Sequence, residues 1–266
     1  MKNQIYFYYK KRRPFLMKRI NFIMVVVINF INIPAAIADH NFSFLKHEKP
    51  ILTSVNKELG KISVYSIRPN NKHFSEIIEQ ILFLQKTLLV NKKPIQEITD
   101  LDIKDGFLVE EMDSIHLKEA LIQEHGSIII ACADQQEHSP NQLVGYAILR
   151  LTRYFFQNNK SGNVEYTLSI SENEWKNIVS NSTYIYELAV SPQHRRKGIG
   201  KLILNACQKQ CKNWLYVDVI YWPKPFVNEL SYQFFLRNGF KDIGRLYVKK
   251  SSGFRPFKSI LMAWSS

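Results

Sequence analysis

From Ile62 onward the chain switches between two hydrophobic rhythms. ISVYSI (62–67) alternates and is rich in β-branched residues, which predicts a first strand. In the following stretch Phe74, Ile77, Ile78, Ile81, Leu82 and Leu84 recur at helical spacing. The polar segment 91–106 interrupts the pattern, and HLKEALIQEH then predicts a short amphipathic helix that Gly126 ends. SIIIACA (127–133) and LVGYAILRLT (143–152), joined by a polar loop containing Pro140, predict a hairpin. Residues 153–182 read as an insertion: an aromatic stretch, a loop, VEYTLSI as a strand, and SENEWKNIV as a short helix opened by a capping box from Ser171 to Glu174. After it the order is regular. YIYELAV predicts a strand, GIGKLILNACQKQC a helix, LYVDVIY a strand, FVNELSYQFFLRN a helix, and RLYVKK and FKSILMAW two closing strands. The pattern predicts one α/β domain over residues 61–266, with 39–60 as a linker.

Composition limits what such a domain can be. With 266 residues, 45% of them hydrophobic, the chain can bury one sizeable core or a core and a small appendage. The net charge of +13 is unevenly spread. Lys2, Lys10, Lys11, Arg12, Arg13, Lys18 and Arg19 come with no acid among them, and residues 21–38 carry no charge. The rest is a moderately basic body, which suits an anionic small ligand and predicts no nucleic-acid partner. The apolar run INFIMVVVINFINI, followed by Ala36-Ile37-Ala38 as a small-x-small cleavage pattern, predicts a signal peptide over 1–38, of ordinary proportions if translation starts at Met17. The alternative is a single membrane anchor from Ile20 to Ala38. Either sends the body across the membrane, exported or held at its surface. Cys132, Cys207 and Cys211 read as buried thiols, and no Cys/His spacing resembles a metal site.

The sharpest chemical signal is SPQHRRKGIGK (191–201), which follows the apolar run YIYELAV directly. A strand that turns tightly into a helix presents unpaired amides and about half a positive charge at the helix start, a natural seat for a pyrophosphate. Gly198 and Gly200 let the backbone approach an anion, and Arg195, Arg196, Lys197 and Lys201 add charge. The pattern is neither a P-loop nor a dinucleotide fingerprint.

Taken in order, AVSPQHRRKGIGKLIL, LYVDV and NELSYQFFLRNGF, with VGYAILRL as a weaker fourth piece, resemble the GNAT superfamily of acyl-CoA-dependent N-acyltransferases over roughly residues 61–266. The resemblance implies a mixed, mostly antiparallel twisted sheet flanked by helices, acetyl-CoA as acyl donor, an amine acceptor of unknown identity, and no metal. It seats the pyrophosphate on Arg195, Arg196, Lys197, Gly198, Ile199, Gly200 and Lys201, and the pantetheine arm along the backbone of Leu188, Ala189 and Val190. In the second helix Asn228 and Ser231 match the family's pattern, but Phe235 stands where a tyrosine commonly serves as general acid. Tyr232, one turn earlier, is the stand-in acid or a core aromatic.

Acyl transfer to an amine needs a neutral nitrogen and hence a base. Glu187 and Asp218 are the candidates, with Glu187 favoured; either could instead make only a structural hydrogen bond. Strand alternation places Glu187 on the face opposite Tyr186 and Leu188. One tension remains between the signals. Acetyl-CoA is a cytosolic metabolite, whereas the amino terminus argues for export, so three readings stand: a cytoplasmic enzyme, an enzyme delivered into a compartment or host cell that contains acyl-CoA, and an exported, non-catalytic binder of another anion.

Overall fold

A computed structural model of the chain describes residues 45, 48–89, 108, 113–134, 142–151, 164–222, 227–249 and 256–266. The signal peptide or anchor expected over 1–38, the polar segment 91–106 and the aromatic stretch after Thr152 lie outside these residues.

Among the described residues nine strands form one sheet. In chain order the elements are β1 (Leu52–Asn56), β2 (Gly60–Ile67), α1 (Phe74–Lys86), α2 (Ser114–Gln123), β3 (Ser127–Asp134), β4 (Gln142–Leu151), β5 (Val164–Leu168), α3 (Glu172–Asn181), β6 (Ser182–Val190), α4 (Ile199–Gln210), β7 (Trp214–Trp222), α5 (Glu229–Arg237), β8 (Lys241–Val248) and β9 (Phe257–Ser265). Across the sheet the strands run β1-β2-β3-β4-β6-β7-β9-β8-β5. Every neighbouring pair is antiparallel except β6 and β7, which are parallel and joined through α4. The mixed, mostly antiparallel architecture expected from the sequence is therefore present.

Two expectations need correction. The segment read as a linker contains β1, which pairs with β2 from Leu52↔Val64 to Asn56↔Gly60. Its outer face is open, with Val55 84% exposed, so its sequence carries no core-facing alternation to announce a strand. The segment read as an insertion is part of the sheet: β5 pairs with β8 as the far edge strand. Ser171 caps α3 by accepting the Glu174 amide, as the capping box predicted. Ile178 of α3 is fully buried, and Trp175 stands edge-on to Tyr216 of β7.

Strand alternation sorts the core onto the two faces of the sheet. On one face Ile203, Leu204, Ala206 and Cys207 of α4 and Phe235 of α5 pack on Ile129, Val144, Ala147, Ile185, Leu215 and Val217. On the other, Ile77, Ile78 and Ile81 of α1 and Leu117 and Leu121 of α2 cover Ile128, Ile130, Tyr146 and Ile148. Beside them α3 covers Tyr184, Tyr216 and Leu261. Fully burying an Ile or Leu side chain contributes about 1.5–3 kcal/mol, so these stripes fix how each helix lies on the sheet. All three cysteines are free and buried, and burial pushes the thiols of Cys132 and Cys207 up.

Candidate active site

Among the described residues the sheet parts at its one parallel pair of strands. β6 and β7 are joined at Ser182↔Trp214, Thr183↔Leu215 and Tyr184↔Tyr216, and no further. Beyond that point β6 follows β4 as far as Val190↔Gly145, while β7 follows β9 as far as Trp222↔Lys258. The edge of β6 that faces β7 beyond Tyr184, which includes the stretch from Leu188 to Val190, thus has no strand partner among the described residues. Its backbone is open to a ligand.

At the end of β6 the chain enters the basic turn. Pro192–His194 form one turn of 3-10 helix, closed by the His194 amide donating to Ser191 O at 2.9 Å. His194 is buried, and burial together with Lys197 lowers its pKa, so its imidazole is neutral at physiological pH. Arg196 and Gly198 both take positive φ, 61° and 80°. Glycine meets that demand at Gly198 without strain, whereas any other residue carries a steric cost there. Gly198 caps α4 with no side chain to offer, so the first amides of the helix point outward uncapped by a side chain. A Cβ on Gly200 would meet only the Phe234 ring at 3.6 Å and Val190 Cγ2 at 3.7 Å. Packing within the chain does not demand glycine at 200.

The cations of this turn divide. Arg195 donates from Nε to Val190 O at 3.3 Å, which ties the turn back to β6. Lys197 is turned away: its ammonium pairs with Glu58 at 2.8 Å, and its carbonyl accepts from Asn56 Nδ2 at 3.1 Å. The expected phosphate contact from Lys197 is therefore corrected to a tether between the turn and the β1–β2 hairpin. Lys201 is exposed in the first turn of α4, and the buried Ile199 anchors that turn in the core.

Both carboxylates lie on the opposite face of the sheet, toward α1, α2 and α3. Asp218 follows Tyr216 on the same side of β7 and is half-buried. Its Oδ1 accepts from the Tyr184 hydroxyl. Burial raises the Asp218 pKa, and the hydroxyls of Tyr184 and Ser259 only partly oppose that effect. The Tyr184 phenol is itself pushed up by burial and by Asp218, so it remains a donor.

Glu187 is 7% exposed and accepts two hydrogen bonds, from Gln85 Nε2 at 2.9 Å and from the Tyr146 hydroxyl. The strand-alternation expectation fails here for a definable reason. Between Ile148↔Glu187 and Leu149↔Ile185 the register shifts, leaving Tyr186 as the extra residue of a bulge. Tyr186 and Glu187 consequently share the α1 side, while Leu188 still faces α4. Arg150, paired with Glu124 at the end of α2, lies 4.9 Å over the Tyr186 ring and covers the bulge.

The second helix of the motif is placed differently from expectation. Asn228 is the N-cap of α5, its side-chain oxygen accepting the Ser231 amide at 3.2 Å. Phe235 is 4% exposed and packs edge-on against Phe234 and Phe240 at 5.2 and 5.0 Å, so it belongs to the core and not to the cleft surface. Phe234, which the sequence did not single out, is the ring nearest Gly200. Tyr232 is half-buried against the same core cluster, the core-aromatic alternative.

A sheet that parts between two parallel strands, with a glycine-opened helix start at the parting and carboxylates across the sheet from it, is a GNAT-type domain. The chain belongs to that family: the model described as Acetyltransferase (GNAT) family matches residues 94–240. Among solved structures the chain is similar to Arabidopsis thaliana NAA60 in complex with acetyl-CoA, with 17% identity, 77% of this chain and 98% of that chain covered, and a TM-score of 0.47. It is also similar to the ribosomal-protein-S18-alanine N-acetyltransferase from Escherichia coli, at 10% identity, 77% and 93% coverage, and a TM-score of 0.43. A GNAT-family acetyltransferase from Streptococcus pneumoniae gives 16% identity, 77% and 98% coverage, and a TM-score of 0.39. No curated protein matches the chain in sequence.

Proposed function

We propose that the protein is an N-acetyltransferase that moves an acetyl group from acetyl-CoA to a primary amine by direct attack in a ternary complex. One observation carries the reading: the parting of β6 and β7 joins an uncapped, cationic helix start on one face to carboxylates on the other. Elsewhere the sheet is a continuous barrier between those faces. The residues fit the donor. The α4 amides and Arg195, Arg196 and Lys201 suit a pyrophosphate, Gly200 leaves it room, and the open edge of β6 suits an amide-bearing pantetheine arm.

Acetyl-CoA supplies a thioester carbonyl as the electrophile. Asp218 takes a proton from the acceptor ammonium. Its partial exposure leaves it reachable, and its raised pKa makes it a stronger base than an ordinary carboxylate, which favours it over Glu187. The freed amine attacks the carbonyl, and a main-chain amide of β6 near Val190 receives the oxyanion. When the C–S bond breaks, the proton still on nitrogen passes to the thiolate through water, because Phe235 has no hydroxyl to give. The test is thiol release from acetyl-CoA across a panel of primary amines, by the wild type and by Asp218→Asn. Amine-dependent release lost in the variant supports the reading, and a folded protein that releases no thiol with any amine removes it.

The buried Phe235 favours one other reading, a binding protein that keeps the scaffold without turnover. That protein binds acetyl-CoA or another anion at the turn and transfers nothing.

A further inference from the structure

The Gln85–Glu187–Tyr146 cluster is not used by the transfer just described. It joins the last turn of α1, β4 and the β6 bulge through two hydrogen bonds to a single carboxylate. Gln85 is 1% exposed. A carboxylate oxygen only accepts, so the amide nitrogen of Gln85 must face Glu187 and its Oε1 must point away. That Oε1 has no hydrogen-bond partner among the described residues. An orphaned buried acceptor costs about 1–3 kcal/mol, so it needs a reason to persist. Donors aimed at a buried carboxylate stabilise its ionised form against the desolvation that would otherwise neutralise it.

We propose that Gln85, with Tyr146, is a positioning residue that holds Glu187 as a fixed anion, and that this anion receives the acceptor's ammonium before Asp218 takes its proton. The proposal rests on the transferase reading for its second half only. The two carboxylates stand on the two strands that part, and both side chains lie on the same face of the sheet. Division of labour follows from their surroundings. Glu187 is enclosed and doubly hydrogen-bonded, while Asp218 is more open and its proton affinity is raised by burial.

The other titratable groups on this face do not compete for the role. Tyr65 and Cys132 are pushed up by burial and stay neutral, and Lys86, beside Gln85, is exposed. Arg150 is matched by Glu124, and Tyr184 serves Asp218. The Tyr146 phenol is raised well above its usual value by burial and by Glu187, so it donates across the physiological range.

Two measurements test the proposal. The first is an infrared titration of the Glu187 carboxyl, taken as the difference between wild type and Glu187→Gln, repeated in the Gln85→Met and Tyr146→Phe backgrounds. Losing one donor to a charged group moves the protonation of Glu187 to higher pH by about one unit or more. A titration that stays in place in both backgrounds overturns the positioning role, whether or not the protein is active. The second is the pH dependence of KM for the amine. Glu187→Gln raises KM roughly 10- to 100-fold, with the pH limb of kcat that belongs to Asp218 unmoved. Gln85→Met raises KM at low pH and recovers toward wild type at high pH, where Glu187 ionises again. A loss of affinity in Gln85→Met that is the same at every pH marks a merely structural role, and an unchanged KM in Glu187→Gln overturns the ammonium contact. A wild type that turns over no amine removes the transferase reading and the ammonium contact with it, and leaves the titration to decide the rest.

Discussion

The two faces of the parted sheet are built on opposite electrostatic plans. On the α4 side, charge comes from backbone amides and from cations at a turn, with glycines keeping side chains out of the way. On the α1 and α3 side, charge comes from two carboxylates, each held by a tyrosine hydroxyl from a neighbouring strand. Under the proposed function the first face takes an anion close to the main chain, and the second takes a cation that gives up a proton. Because the first depends on one continuous stretch of chain and the second on contacts between distant strands, mutations separate the two faces cleanly.

The largest effect is expected on the acid–base side. Asp218→Asn lowers kcat by roughly 10²- to 10⁴-fold with acetyl-CoA affinity intact, measured by steady-state kinetics alongside binding of the donor. In the wild type the limb of kcat that reports Asp218 lies above the ordinary carboxylate range, because burial raises that group. Next comes the anion side. Gly200→Glu keeps the fold, since a Cβ there makes only ordinary contacts and an acid suits a helix start, yet it weakens acetyl-CoA binding on the order of 100-fold by setting like charge against the pyrophosphate. Smaller still is Gly198→Ala, which costs about 1–2 kcal/mol of stability in a denaturant melt because of the left-handed backbone at that position.

Asp218→Asn also changes stability, with a definite sign. A carboxyl whose folded pKa is raised loses folding stability as pH rises from its unfolded pKa through its folded one. The variant is therefore more stable than wild type at neutral pH, and the advantage shrinks as pH falls below the unfolded carboxylate range. The smallest effect is Lys197→Ala. Removing this partly exposed surface ion pair costs about 0.2–1 kcal/mol, and acetyl-CoA affinity is unchanged because the ammonium already faces Glu58.

The same contrast explains what the sequence revealed. The anion turn was legible because its parts are local: a strand, two glycines, four cations and a helix within SPQHRRKGIGK and its flanks. Lys197 is the exception, since only the folded hairpin brings Glu58 to it. The acid–base face was legible as two carboxylates and no further. Gln85 is distant from Glu187 in sequence, and the bulge that turns Tyr186 to the same side as Glu187 leaves no mark in the alternation of YIYELAV. Phe234 and Phe235 are adjacent in sequence, and only the lie of α5 decides that the first approaches Gly200 while the second enters the core. The strand β1 escaped notice because, of its side chains, only Leu52 packs on the core and the middle three residues are exposed, which leaves no alternation to read.

The most direct test of the central claim is calorimetric titration of acetyl-CoA into the wild-type protein and into Gly200→Glu. The account predicts saturable, one-to-one binding by the wild type and its loss in a variant whose melting temperature is unchanged. Equal binding by both proteins, or no binding by a folded wild type, would contradict the assignment of the α4 turn to the cofactor.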